Sequence, residues 1–164
     1  MRILGVDPGL GITGYGIIDD KNYAIIEAGI IRTKANTPIQ DRVRKIFDGI
    51  EEIIEEHRPE VLVLEKIYSH YKHPTTSILM AHARAMACLL CGKLDIKLIN
   101  YPSTRIKKAV TGNGHASKQQ VQRMVQSLLK LKTAPEPVDV SDALAMAISY
   151  CYIDGKQGMK RGER

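Results

Sequence analysis

The chain has 164 residues, 44% hydrophobic and 26% charged, with 24 Lys and Arg against 18 Asp and Glu for a net charge of +6. A domain of this size buries roughly 70% of its unfolded surface, so one core suffices without covalent staples. Three cysteines exclude a disulfide scaffold and favour a reducing cytoplasm, no apolar run approaches the roughly 20 residues of a membrane span, and residues 1–7 turn acidic too soon for a signal peptide.

In chain order, residues 1–6 are a short apolar run with β-branched members that ends at Asp7-Pro8-Gly9, which predicts a strand and then a turn. A second strand is expected over 13–18 and a third over 23–33, separated by the turn residues Asp19-Asp20-Lys21-Asn22, so the chain opens as an antiparallel meander. Thr37 and Pro38 supply an N-cap and a first-turn proline to a helix whose Ile39, Val43, Ile46, Phe47, Ile50, Ile53 and Ile54 recur at helical spacing. The run Val-Leu-Val-Leu-Glu over 61–65 reads as a strand buried on both faces. A polar loop, a helix over about 75–94, a strand over 96–100 and a short helix over about 103–110 follow. Ser117 caps a helix running to about 131, and a last helix starts near Asp139 and ends near Tyr152. The order β-β-β-α-β-α-β-α-α-α is an α/β domain with a mixed sheet, expected over 1–154. Its fourth strand returns through a helical crossover and so lies parallel to the first. Residues 155–164 read as a basic, disordered tail.

Charge is unevenly spread. Residues 66–118 hold nine Lys and Arg against a single acid, Asp95, whereas residues 1–65 are net acidic. A stretch nearly free of acids is the footprint of a polyanion-binding surface, although a solvated basic face gives the same pattern. Gly9-Leu10-Gly11-Ile12-Thr13-Gly14 matches G-x-G-x-x-G, but a dinucleotide site requires a helix after it, and this segment reads as a hairpin into a strand. Cys88 and Cys91 form a C-x-x-C inside an apolar helical stretch, where small core residues are the better account than a redox pair.

The acids are the informative set. Asp7 and Glu65 end the first and fourth strands, while Asp139 and Asp142 share one face at the start of the last helix. Acids near a helix N-terminus also favour the helix dipole, and strand-end acids also sit on surfaces. If the two strands are neighbours, however, Asp7 and Glu65 meet at one sheet edge, where open α/β sheets bind ligands. Several uncompensated carboxylates at one point repel, and a hard divalent cation such as Mg²⁺ or Mn²⁺ removes that conflict. An acid cluster beside a basic third suggests a nuclease.

Taken with residues 3–9, Thr13-Gly14-Tyr15-Gly16, Leu64-Glu65, Lys107, Gly112-x-Gly114-x-x-x-Lys118 and Asp139-x-x-Asp142-Ala143-Leu144-Ala145, the sequence resembles the RuvC family of Holliday-junction resolvases over residues 1 to about 152. The resemblance implies an RNase H-like α/β fold, with a five-stranded mixed sheet in order 3-2-1-4-5 flanked by helices. It also implies a homodimer that cuts two opposed strands of four-way junction DNA with Mg²⁺, two ions per subunit and Mn²⁺ as a substitute, in partnership with the RuvA–RuvB branch-migration complex and away from membranes. By the same resemblance Asp7, Glu65, Asp139 and Asp142 are the metal-binding and catalytic acids, and Lys107 and Lys118 the basic catalytic positions near the scissile phosphate. Tyr68 stands where the family commonly has a junction-stacking Phe, and keeps the ring on which stacking depends. Lys66, Tyr71, Lys72, Arg84 and Lys108, with Tyr68, Lys107 and Lys118, are the expected DNA contacts. The 66–74 loop, which also carries His70 and His73, is one residue longer than in a relative of this family.

Two other classes share parts of the pattern. An actin- or hexokinase-type ATPase also begins with strand-Asp-x-Gly and a hairpin, but encloses its nucleotide between two such domains. A non-catalytic junction-binding protein needs no set of four acids.

Overall fold

A computed structural model describes residues 1–67 and 74–155. The meander is β1 (Arg2–Asp7), β2 (Ile12–Asp19) and β3 (Ile25–Arg32); α1 (Ile39–His57) crosses back to β4 (Val61–Glu65), and α2 (Pro74–Leu94) leads to β5 (Lys97–Tyr101). Then come α3 (Ser103–Thr111), α4 (Lys118–Leu128) and α5 (Val138–Tyr150), with a π-helical turn at Cys151–Gly155. The strands form one sheet in the expected order β3-β2-β1-β4-β5, antiparallel within the meander and parallel across β1–β4 and β4–β5. The C-terminal ends of β1, β3, β4 and β5 therefore share one end of the sheet.

Alternation along the strands divides the core between two faces. Leu4, Val6, Ile17, Leu62 and Leu64 pack with Ile46, Ile50 and Leu90 on the α1–α2 side. Ile3, Ile18, Val61 and Val63 pack with Val110, Val125, Leu144 and Ile148 on the α3–α5 side. The Val-Leu-Val-Leu run is thus buried on both faces, as its unbroken apolarity requires.

Three local expectations need correction. Thr37 does not cap α1: Pro38 takes the N-cap position in an extended conformation with no side-chain cap bond, which moves Thr37 outside the helix. α4 has the capping box promised by Ser117 and Gln120, but it stops at Leu128, where the chain turns through Lys130 at φ 54° and the Gln126 amide takes up the carbonyls of Leu131 and Lys132. Finally, α2 is long and apolar enough, by length and composition, to cross a membrane. It buries Ala83, Ala87, Leu90 and Cys91, while Ile78, Leu79 and Leu89 stay exposed. Lys93 ties it to α1 through Glu51 at 2.6 Å.

α5 lies very close to β1 and β2. Gly5 pairs with Gly16 across the two strands, and Gly14 pairs with Asp7. A Cβ placed on Gly5 would stand 1.9 Å from the Ala143 carbonyl oxygen, and one on Gly14 would stand 2.2 Å from that of Asp139. On Gly16 it would meet Leu144 Cδ2 at 2.6 Å. These side-chain-free positions form the floor on which α5 lies. Gly5→Ala should therefore destabilise the protein by about 3 kcal/mol or more in chemical denaturation, since a backbone oxygen cannot rotate away. A loss below about 0.5 kcal/mol would mean that α5 slides freely on the sheet.

Candidate active site

Chain direction brings the acids together. Asp7 and Glu65 are the last residues of β1 and β4, which run parallel with Val6 opposite Leu64. Gly14, across from Asp7, lets the first turn of α5 settle on β2, and that turn carries Asp139 with Asp142 one turn further on. All four carboxylates line one cavity of about 510 Å³ together with Lys107 of α3 and Lys118 of α4.

The charges are unequally compensated. Lys118, itself exposed, places Nζ 3.3 Å from Asp142 Oδ2, and its pKa is raised chiefly by that carboxylate and further by Asp7 and Asp139. Burial is the largest effect on Asp7, and with the Asp142 and Asp139 charges it pushes the carboxyl up to about 7 against a partial offset from Lys118. Glu65 is also raised by burial, opposed by a hydrogen bond from Ser103. A set of four carboxylates, one of them held well above the usual carboxylate range, fits a hard divalent cation on oxygen chemistry alone. Among the described residues, no three of these acids bring ligand atoms within 4.8 Å of one another; the group that does so is Glu27, Glu56 and His57. That group lies on β3 and the last turn of α1, outside the cavity. Its Glu27 is already engaged by the Tyr15 hydroxyl at 2.6 Å and by His57 Nε2.

Several supporting groups were not legible as such in the sequence. Arg84 does not project freely: its guanidinium donates to the Glu65 carbonyl at 2.7 Å and to Asn100 Oδ1, fixing the end of β4 from α2. Lys66 N bonds the Tyr101 carbonyl at 2.8 Å, tying the following residue to β5. Ser103 gave no sequence signal beyond its place at a helix start. The Gly9–Ile12 turn is stitched by Thr13 Oγ1 on the Gly9 carbonyl at 2.8 Å and by Thr33 N on that of Gly11 at 2.9 Å. Gly14 lies inside β2, so no helix follows the G-x-G-x-x-G and the dinucleotide reading is excluded.

Of the other sequence-derived residues, Lys66 lines the cavity mouth and Lys108 is exposed on α3. Tyr68, Tyr71 and Lys72, with His70 and His73, lie outside the described residues. Cys88 and Cys91 are free thiols on α2; Cys91 is buried, which pushes its thiol up to about 11, away from redox reactivity.

The family model described as crossover junction endodeoxyribonuclease RuvC matches residues 3–150. A crossover junction endodeoxyribonuclease RuvC from Rhodopirellula baltica is 42% identical over 153 residues, covering 92% of this chain and 86% of that protein. The solved structure of Thermus thermophilus RuvC matches with a TM-score of 0.88 at 25% identity, over 96% of this chain and 97% of that one. T. thermophilus RuvC in complex with Holliday junction substrate matches at 0.86 and 26%, over 96% of each chain.

The Asp7 environment sets a pH dependence. An unfolded chain releases this proton near 3.8, whereas the folded protein holds it to about 7, so between those values the native state binds more protons. Stability of the metal-free protein should then fall as pH rises through that window, by up to about 4 kcal/mol for this group. Thermal melts from pH 5 to pH 8 should show the decline in wild type, a much flatter profile in Asp7→Asn, and recovery of wild type at pH 8 on adding Mg²⁺. A wild-type profile no steeper than that of Asp7→Asn would contradict the assigned burial and repulsion.

Proposed function

The chain belongs to the RuvC family of crossover junction endodeoxyribonucleases, and we propose that it resolves four-way DNA junctions by hydrolysing one phosphodiester on each of two opposed strands in recombination and repair. The observation that carries this reading is the convergence of Asp7, Glu65, Asp139 and Asp142 on one cavity flanked by Lys107 and Lys118. We take residues 1–154 as the nuclease domain.

Asp7, Glu65, Asp139 and Asp142 would hold Mg²⁺, two ions per subunit with Mn²⁺ able to substitute. When bound, the cations supply Lewis-acid activation of a water and charge neutralisation at the phosphate. The residues of this chain do the rest. The parallel ends of β1 and β4 orient Asp7 and Glu65, and Arg84 and Ser103 hold Glu65 in place. Lys107 and Lys118 oppose the negative charge that grows on the phosphoryl oxygens as water attacks phosphorus. The P–O3′ bond breaks, leaving a 3′-hydroxyl and a 5′-phosphate. Lys118 is paired with Asp142 in the free protein; with that carboxylate holding a metal, the lysine would be available to the phosphate.

Two cuts on one junction need two cavities, hence a homodimer. The exposed apolar side chains of α2, Ile78, Leu79 and Leu89, support that helix as the face a second copy would cover. Tyr68, three residues beyond Glu65, would stack on a base that the junction centre exposes, and Tyr71, Lys72, Lys66 and Lys108 would meet the backbone. Junctions delivered by a RuvA–RuvB branch-migration complex in the cytoplasm are the setting this chemistry suits. A purely binding role leaves the four acids without a task.

Asp7→Asn tests the reading. Its cleavage of a synthetic four-way junction in Mg²⁺ should fall more than about a hundredfold, while gel-shift affinity for the junction holds or rises because a negative charge facing DNA is gone. Turnover within about tenfold of wild type would remove Asp7 from the site.

A further inference from the structure

At the same end of the sheet as the four acids, but on the far side of β1 from Ser103 and Lys107, lies a second concentration of charge. Arg32, Lys34, Arg42, Arg44 and Lys45 fall within fourteen residues interrupted by one acid, Asp41. They hold five of the eight Lys and Arg in the otherwise acidic first 65 residues. Arg44 pairs with Asp41 at 3.4 Å, a surface contact that offsets part of that acid's charge. Among the described residues, Arg32, Lys34 and Lys45 make no ion pair, and all three are exposed. Lys34, Arg42 and Lys45 line a hollow of about 130 Å³ with Thr33, Thr37 and Asp41, so three cations face one carboxylate and the lining is net positive, with a size suited to one tetrahedral oxyanion.

The hollow is mechanically joined to the acidic cavity while sharing no lining residue with it. Arg42 Nε donates to Thr33 Oγ1 at 3.0 Å. Thr33 in turn bonds the Leu10 carbonyl through its hydroxyl and the Gly11 carbonyl through its N–H at 2.9 Å, and Gly9 and Ile12 of that same turn line the acidic cavity. Two strand spacings separate β3 from β1, which puts the hollow roughly 10 Å or more from Asp7. That offset corresponds to about three base-pair steps along a duplex at 3.4 Å per step.

We propose that the Lys34–Arg42–Lys45 hollow binds a backbone phosphate of the junction arm that runs away from the cut. It is a second anchor, with no part in the chemistry, and sets the direction in which that arm leaves the acidic cavity. The inference rests on the junction-nuclease reading and deepens it. A phosphodiester is the occupant this lining suits: three cations and two threonine hydroxyls outweigh the single Asp41 carboxylate, and a backbone contact carries no base information.

The double substitution Lys34→Gln with Lys45→Gln tests this without touching Arg42 or the turn it supports. Junction affinity, measured by fluorescence anisotropy from 50 to 300 mM KCl, should weaken about tenfold at the low-salt end, and the slope of log K against log salt should flatten by about two. The loss should fall on affinity alone, with saturating protein restoring single-turnover cleavage. Lys21→Gln, equally exposed but in the turn at the opposite end of the sheet, should leave the slope as it is. An unchanged affinity and slope in the double variant would overturn the proposal, including in the case where the patch serves an acidic protein instead. A cleavage defect that persists at saturation would also overturn it, by placing the lysines in the chemistry. A wild-type protein that binds junctions and never cuts them would contradict the nuclease reading, and the salt slopes measured on that protein would still decide the hollow.

Discussion

The site depends on how closely one helix can approach one pair of strands. α5 rests on Gly5, Gly14 and Gly16, where any side chain would drive into its backbone or into Leu144. That contact carries half of the acidic site, because Asp139 and Asp142 reach the end of β1 only if the first turn of α5 sits directly over Gly14. The burial of Asp7 follows from the same approach, and with it the raised affinity of its carboxyl for a proton. Packing here creates an electrostatic cost that a divalent cation would relieve, so tight assembly and metal affinity are two expressions of one geometry.

The electrostatics extend that logic outward. Carboxylates occupy the centre of the active end of the sheet, Lys107 and Lys118 stand on one flank, and the Lys34–Arg42–Lys45 hollow stands on the other. A polyanion is attracted by the flanks and admitted to the centre only where cations have neutralised the acids. Lys118 already supplies part of that neutralisation through Asp142 in the free protein.

Much of this was legible in the residues. β-Branched and unbroken apolar runs marked the strands, Ser117 and Gln120 marked the start of α4, and the strand-end positions of Asp7 and Glu65 marked the site once their strands were adjacent. That adjacency needed the crossover through α1 and, for the full strand order, a family resemblance. What escaped was long-range. Gly14 and Gly16 read only as glycines of the second strand, because nothing local reports that a helix more than a hundred residues away needs their missing side chains. Arg84 read as a DNA contact, and its bonds to Asn100 and the Glu65 carbonyl were not legible because those partners approach it only through the fold. The basic cluster over 32–45 vanished when charge was averaged across an acidic segment. The end of α4 slipped by about three residues, as helix ends do when a left-handed residue rather than a glycine stops them.

Comparing junction cleavage by Gly14→Ala and Gly11→Ala is the most direct measurement of the account. A methyl on Gly14 would strike the backbone of Asp139, whereas one on Gly11 meets nothing within 4 Å. With both variants folded and bound to the junction in Mg²⁺, the account predicts a loss of about a hundredfold or more for Gly14→Ala, since small misplacements of a reacting group cost that much, and near wild-type cleavage for Gly11→Ala. Wild-type cleavage by Gly14→Ala would contradict it, for α5 would then be free to stand off the sheet without disturbing the site.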